Sequence, residues 1–321
     1  MKIFDIFISH ISFFRISLFI AFFIAIAAFV PVFGFIFLIF IPMLIFFHST
    51  VSGKGKTVAA FFIPFLLLFL FSYLLKLDTP YLFILLMGII GLIIGIIASN
   101  NGSIEKTIIY PSLIILAAIG AYFVYRSFDL NINPWQLVQK FITQTIEENI
   151  QMFSQQSFEN EYTDFIKNNK DVFISFFISI FPAMIVVISL LIVWINLLMG
   201  KDILSKQGIV FPQYEGLSGW KAPNFIIWIF IISGGLLFVP VEKVNFYSMN
   251  VFIVACFIYL LHGFAIIGFL FRTKNVPIIF RYLFYFLIAV QQFLMVVIVA
   301  AGVFDIWIDF RRFIKKNEAS A

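Results

Sequence analysis

The sequence is poor in the side chains that carry covalent, redox and metal chemistry. Its one cysteine, Cys256, sits inside an apolar run, which excludes a disulfide framework and a thiolate metal site. The three histidines, His10, His48 and His262, are too scattered for a metal motif, and none opens an HxxxxD arrangement. Ser233 lacks the preceding glycine of a GxSG nucleophile, Glu147 and Glu148 have no arginine four residues on, and no series of acids crosses the apolar runs as a proton relay would need. The stretch Ser52-Gly53-Lys54-Gly55-Lys56-Thr57 resembles the end of a phosphate-binding loop, but the first glycine of GxxxxGK[ST] is replaced by Thr50 and its flanks are apolar. These absences predict no enzyme, no catalytic residues, no metal site and no cofactor. Charge is scarce too, at 12% of residues, and the net +5 is scattered through short loops and not gathered on one face, which argues against a nucleic-acid partner.

What the chain has in abundance is apolar surface. Hydrophobic residues make up 63% of it, including 47 phenylalanines, far outside the balance of a soluble domain. A helix needs about 20 apolar residues to cross a bilayer core, and residues 280–304 supply that length before the first acid, Asp305. Similar runs fall at residues 58–75, 81–98, 107–125, 172–199, 222–239 and 249–271, after a long first block at 16–47 that Pro31, Gly34 and Pro42 interrupt. The expectation is all-α: one integral membrane domain over residues 1–321, a polytopic transmembrane helical bundle of about eight to nine segments, multi-pass in the cytoplasmic membrane with the lipid bilayer as its first partner. Lys and Arg divide almost evenly between the two sides; the basic cluster at 311–316 favours a cytoplasmic C-terminus.

Between residues 127 and 170 the composition turns to Gln, Asn, Glu and Ser. From Trp135, apolar residues recur at Val138, Phe141, Ile142, Ile146 and Ile150, which predicts amphipathic interfacial helices near 135–167. Their polar face is acidic, so packing on the protein or on a partner suits them better than adsorption to anionic lipid. In the run at 81–98, Gly88, Gly91 and Gly95 share one helical face and predict close helix packing within the chain.

Polar residues inside apolar runs mark either packing or a site. Trp194, Asn196, Tyr259, His262, Gln291 and Gln292 are the candidates for ligand binding. At the exit of the closing helix, Asp305, Asp309 and Arg312 share one face, with Trp307 and Arg311 on another. Acids are disfavoured at a helix C-terminus, so Asp305 and Asp309 need partners, from Arg312 or from a basic group or helix N-terminus of another span.

The pattern Gly302, Asp305, Trp307, Asp309, Phe310, Arg311 resembles the C-terminal signature of the YybS-like family of uncharacterised bacterial multi-pass membrane proteins. The loop Gly219-Trp220-Lys221-Ala222-Pro223-Asn224 and the region of Pro42 resemble two further family features; the chain departs at His262-Gly263, where the family pattern has Gln-Gly, and at Ile41-Pro42, where it has Leu-Pro. The family is distantly similar to the substrate-binding membrane subunits of energy-coupling vitamin transporters. That resemblance implies a small-molecule binding or transport subunit which, lacking a nucleotide motif, would need a separate ATPase partner for active import. The alternative is a non-transporting cell-envelope scaffold that docks envelope protein partners.

Overall fold

The computed structural model describes residues 2–30, 33–77, 79–155, 161–209, 211 and 219–312. Among them every regular element is a helix: α1 (Lys2–Phe29), α2 (Phe33–Ser52), α3 (Lys54–Leu75), α4 (Tyr81–Ser99), α5 (Ile104–Leu130), α6 (Pro134–Gln155), α7 (Glu161–Asn168), α8 (Lys170–Lys206), α9 (Ile226–Leu236), α10 (Glu242–Thr273), α11 (Ile278–Val290) and α12 (Gln292–Ile308). The protein is an all-α polytopic membrane protein. Its helices form two compact units, Met1–Tyr122 with Ile188–Glu215, and Phe123–Val187 with Gly216–Ala321, so α5 and α8 each contribute to both.

In the first unit α2 packs against α1 and α4. A side chain at Gly91 would stand 2.6 Å from the Pro42 carbonyl, and one at Gly95 would overlap the Ser49 hydroxyl, so these two glycines set how closely α4 approaches α2. Gly88 faces the ring of Phe61 on α3 instead. Ile41, Ile45, Phe61 and Ile84 are fully buried between these helices, and His48, also buried, ties three of them together through Thr57 at 2.7 Å and Ser17 at 3.3 Å.

Pro42 lies inside α2, where its ring breaks the backbone ladder. The broken rung is Met43 to Ile39, and the side chain of Asn196 on α8 fills it: its Oδ1 accepts from the Met43 N–H at 2.7 Å and its Nδ2 donates to the Ile39 carbonyl at 2.9 Å. The second unit repeats the device. Pro182 interrupts α8, and Asn250 of α10 accepts from the Ala183 N–H and donates to the Ser179 carbonyl, both at 2.7 Å. In an apolar medium an unpaired backbone group is expensive, so each asparagine makes its proline tolerable.

The polar insertion folds as α6 and α7. Asn133 caps α6 through the Trp135 N–H at 2.8 Å with Pro134 in the first turn, Val138 and Ile142 are buried, Trp135 meets the ring of Phe246, and Glu147 pairs with Lys170 at 2.7 Å. The amphipathic face packs on the chain itself.

The first apolar block is broken, as its prolines and glycine suggest: α1 ends at Phe29 and α2 starts at Phe33, with Gly34 and Pro42 inside α2; Pro31, like Lys315 and Lys316, lies outside the described residues. Two expectations change. The run at 222–239 forms only the 11 residues of α9, about 16 Å long. The closing run is not one helix: Gln291 is extended, at φ −101° and ψ 95°, and the segments Ile278–Ile288 and Gln292–Ile308 meet at 105°. Six described helices are long and apolar enough to cross a membrane, seven if α11 and α12 count as one broken span, and the shorter apolar helices Phe14–Phe29 and Ile226–Leu236 bring the apolar segments to the eight to nine expected.

Candidate functional site

Two glycines create the site in the second unit. α10 and α12 cross where a side chain at Gly302 would overlap the Tyr259 carbonyl and lie 3.1 Å from the Gly263 amide nitrogen, while one at Gly263 would overlap the Ile298 carbonyl. Only glycine permits this approach, and it places His262 against Asp305 three residues beyond the crossing.

Asp305 is 1% exposed and His262 is 1% exposed. The carboxylate Oδ2 meets His262 Nε2 at 3.1 Å and Arg311 Nη1 at 3.8 Å; Oδ1 accepts from the Phe310 N–H at 2.8 Å. Arg311 reaches back over the helix end, donating to the Trp220 carbonyl at 2.8 Å and the Gly219 carbonyl at 3.4 Å. Lys221 of the same loop pairs with Asp309 at 3.0 Å. Asp309 sits just beyond α12 in a left-handed conformation, φ 47°, and the Lys221 hydrogen bond holds its carboxyl below the usual carboxylate range. With a neutral imidazole the two acids and the two bases balance. The rings of Trp220 and Tyr259 lie 6.1 Å and 6.4 Å from the His262 ring. The two family-like motifs, 219–224 and 302–311, thus meet at one buried centre.

Three polar atoms of that centre are buried with no hydrogen-bond partner: the Tyr259 hydroxyl, His262 Nδ1 and Arg311 Nε. If the neutral imidazole donates from Nε2 to Asp305, Nδ1 is left as an acceptor. The set can hydrogen-bond a small polar molecule or hold a proton between imidazole and carboxylate. Among the described residues no three His, Cys, Asp or Glu side chains converge as metal ligands.

The other candidate residues fall elsewhere. Trp194 and Asn196 belong to the first unit, and every polar group of the Asn196 side chain is engaged by the α2 kink and its own helix. Gln291 and Gln292 stand exposed at the break, so Gln291 does not continue the face of Gly302 and Asp305. Trp307 is exposed, and Arg312 is exposed with its backbone N–H on the Asp309 carbonyl. Asp309 finds its cation in Lys221 of the loop, while Arg312 supplies only its backbone N–H. Sequence reading missed Asn250, whose partners lie 67 and 71 residues away; a proline in a long apolar run was the available signal, but it does not say which helix supplies the repair. It also missed that Arg311 and Lys221 close one loop over the helix end.

No curated protein and no solved structure matches the chain. Residues 17–306, nearly its whole length, match the predicted membrane protein family DUF2232, in keeping with the YybS-like signature, and the chain belongs to that family.

Proposed function

We propose that this protein is a small-molecule binding subunit of a membrane transport system, with Tyr259, His262 and Asp305 as its polar centre and the loop at 219–224 as its cover. One observation carries the reading: the Tyr259 hydroxyl and His262 Nδ1 are buried and unpaired inside an apolar bundle. Leaving such atoms unpaired costs about 1–3 kcal/mol each, and a polar ligand with a donor and an acceptor relieves it. The break at Gln291 supports the same reading, because helices interrupted within the bilayer recur at transport sites, where freed backbone groups face a cavity. Energy for import would come from a separate ATPase, since SGKGKT at 52–57 closes off α2 and opens α3 and is no phosphate loop.

The test is purification in mild detergent followed by mass spectrometry of bound metabolites and co-purifying proteins. A metabolite retained by the wild type and lost from His262→Ala and Tyr259→Phe, or an ATPase pair, is the expected result. Envelope-assembly proteins alone, with no metabolite, would replace this reading by the scaffold, which the Lys221–Asp309 and Arg311 latch favours as a rigid docking face.

A further inference from the structure

A cavity of about 600 Å³ opens in the first unit, bounded by the end of α1, the start of α2 and the α3–α4 connection. Its size is that of a small-molecule pocket, about 300–1,000 Å³. The wall is apolar, with Ala28, Leu38 and Phe83 among its side chains, and Thr79 is the one polar side chain on it among the described residues. Thr79 is 6% exposed, and its hydroxyl is buried without a hydrogen-bond partner. Beside it α4 begins at an N-cap, Pro80, that offers no side-chain acceptor to the first turn, and Pro80 and Phe83 line the same space.

The cavity sits at helix ends. α3 finishes at Leu75 and α4 starts at Tyr81, and both are long and apolar enough to span a membrane, so their connection lies where the apolar layer gives way to headgroups. The rim residues Phe29, Phe35 and Phe83 are exposed and continue the apolar outer surface of the helices. Exposed Lys76, the left-handed C-cap of α3, immediately precedes Leu77 of the cavity wall. The α3–α4 connection therefore brings to an apolar volume one buried, unpaired hydroxyl on its wall and an exposed cation one residue before that wall. Those chemistries match a lipid: acyl chain, ester carbonyl, phosphate.

We infer that this cavity is a binding site for one anionic glycerophospholipid. An acyl chain fills the space above Leu38 and Ala28, an ester carbonyl accepts from the Thr79 hydroxyl, and the phosphate pairs with Lys76. The site is independent of the His262 centre.

Native mass spectrometry of delipidated full-length protein, titrated with phosphatidylglycerol or with phosphatidylcholine of the same chains, tests it. The wild type should retain one phosphatidylglycerol after the other lipids are stripped. Thr79→Val, which keeps the shape and removes the donor, should weaken retention about three- to tenfold. Ala28→Phe, which occupies the cavity, should abolish it, and Lys76→Gln should erase the preference over phosphatidylcholine. His262→Ala should bind lipid as the wild type does, so a failed transport reading leaves this one standing. Undiminished retention in Ala28→Phe and Thr79→Val, or equal retention of the two lipids by the wild type, would overturn the site.

Discussion

Asp305 is met from three directions, by His262, Arg311 and the Phe310 amide, and a carboxylate so enclosed is costly to strand. Replacing it by alanine leaves a buried arginine and histidine facing each other, a change that typically costs about 3–5 kcal/mol. Asp305→Ala is expected to lower the melting temperature in detergent sharply, whereas Tyr259→Phe, which removes a hydroxyl that has no partner, should leave the ligand-free protein unchanged or slightly more stable. Equal losses in the two variants would mean that the Tyr259 hydroxyl has a partner after all. Asp309 is a milder case. Its carboxyl is depressed first by the Lys221 hydrogen bond, so it contributes stability that is present above about pH 4 and lost as pH falls through its lowered folded value. The pair is nearly half exposed, so the contribution is small and salt-sensitive. Melting curves should show a modest acid shift in the wild type below about pH 4 that Asp309→Asn lacks.

Helices here are joined by two opposite devices: glycines that let backbones touch and asparagines that repair prolines. Gly302→Leu would drive a side chain into the Tyr259 carbonyl and force α10 from α12. Overpacking of this kind costs about 1–3 kcal/mol, and because it parts His262 from Asp305 it should also remove any ligand that depends on them; the same purification and mass spectrometry reads both. Asn196→Ala and Asn250→Ala each leave an amide and a carbonyl of a kinked helix without partners, about 1–3 kcal/mol for each buried group. Asn196→Leu should not rescue, since the loss lies in the backbone it serves. The interrupted run at 278–308 shows the opposite outcome: at the extended Gln291 the helix turns through 105° instead of continuing.

Across the molecule, the two units use the same proline and asparagine arrangement with no shared partner. The double variant Asn196→Ala, Asn250→Ala should therefore lose the sum of the single losses to within about 0.5 kcal/mol, measured by the same melts. A larger departure would mean that α8, which holds Asn196 in one unit and Pro182 in the other, couples them.

The amino-acid sequence by itself determined the class and the medium. With 63% hydrophobic residues and 12% charged, no soluble fold was open, and apolar runs of span length could only become helices, because a bilayer offers no partner to an unpaired backbone. It also marked Gly88, Gly91 and Gly95 as a packing strip, and Asp305 and Asp309 as acids in need of partners. Tertiary structure alone decided who those partners are. Lys221 lies 88 positions from Asp309, and Arg311 lies 91 from the Trp220 carbonyl it bonds; helical periodicity relates residues within one helix and is silent on which helices meet. For the same reason Asn196 read as a ligand candidate until its α2 partners were in place, and two adjacent glutamines read as the middle of a helix that in fact breaks at the first of them.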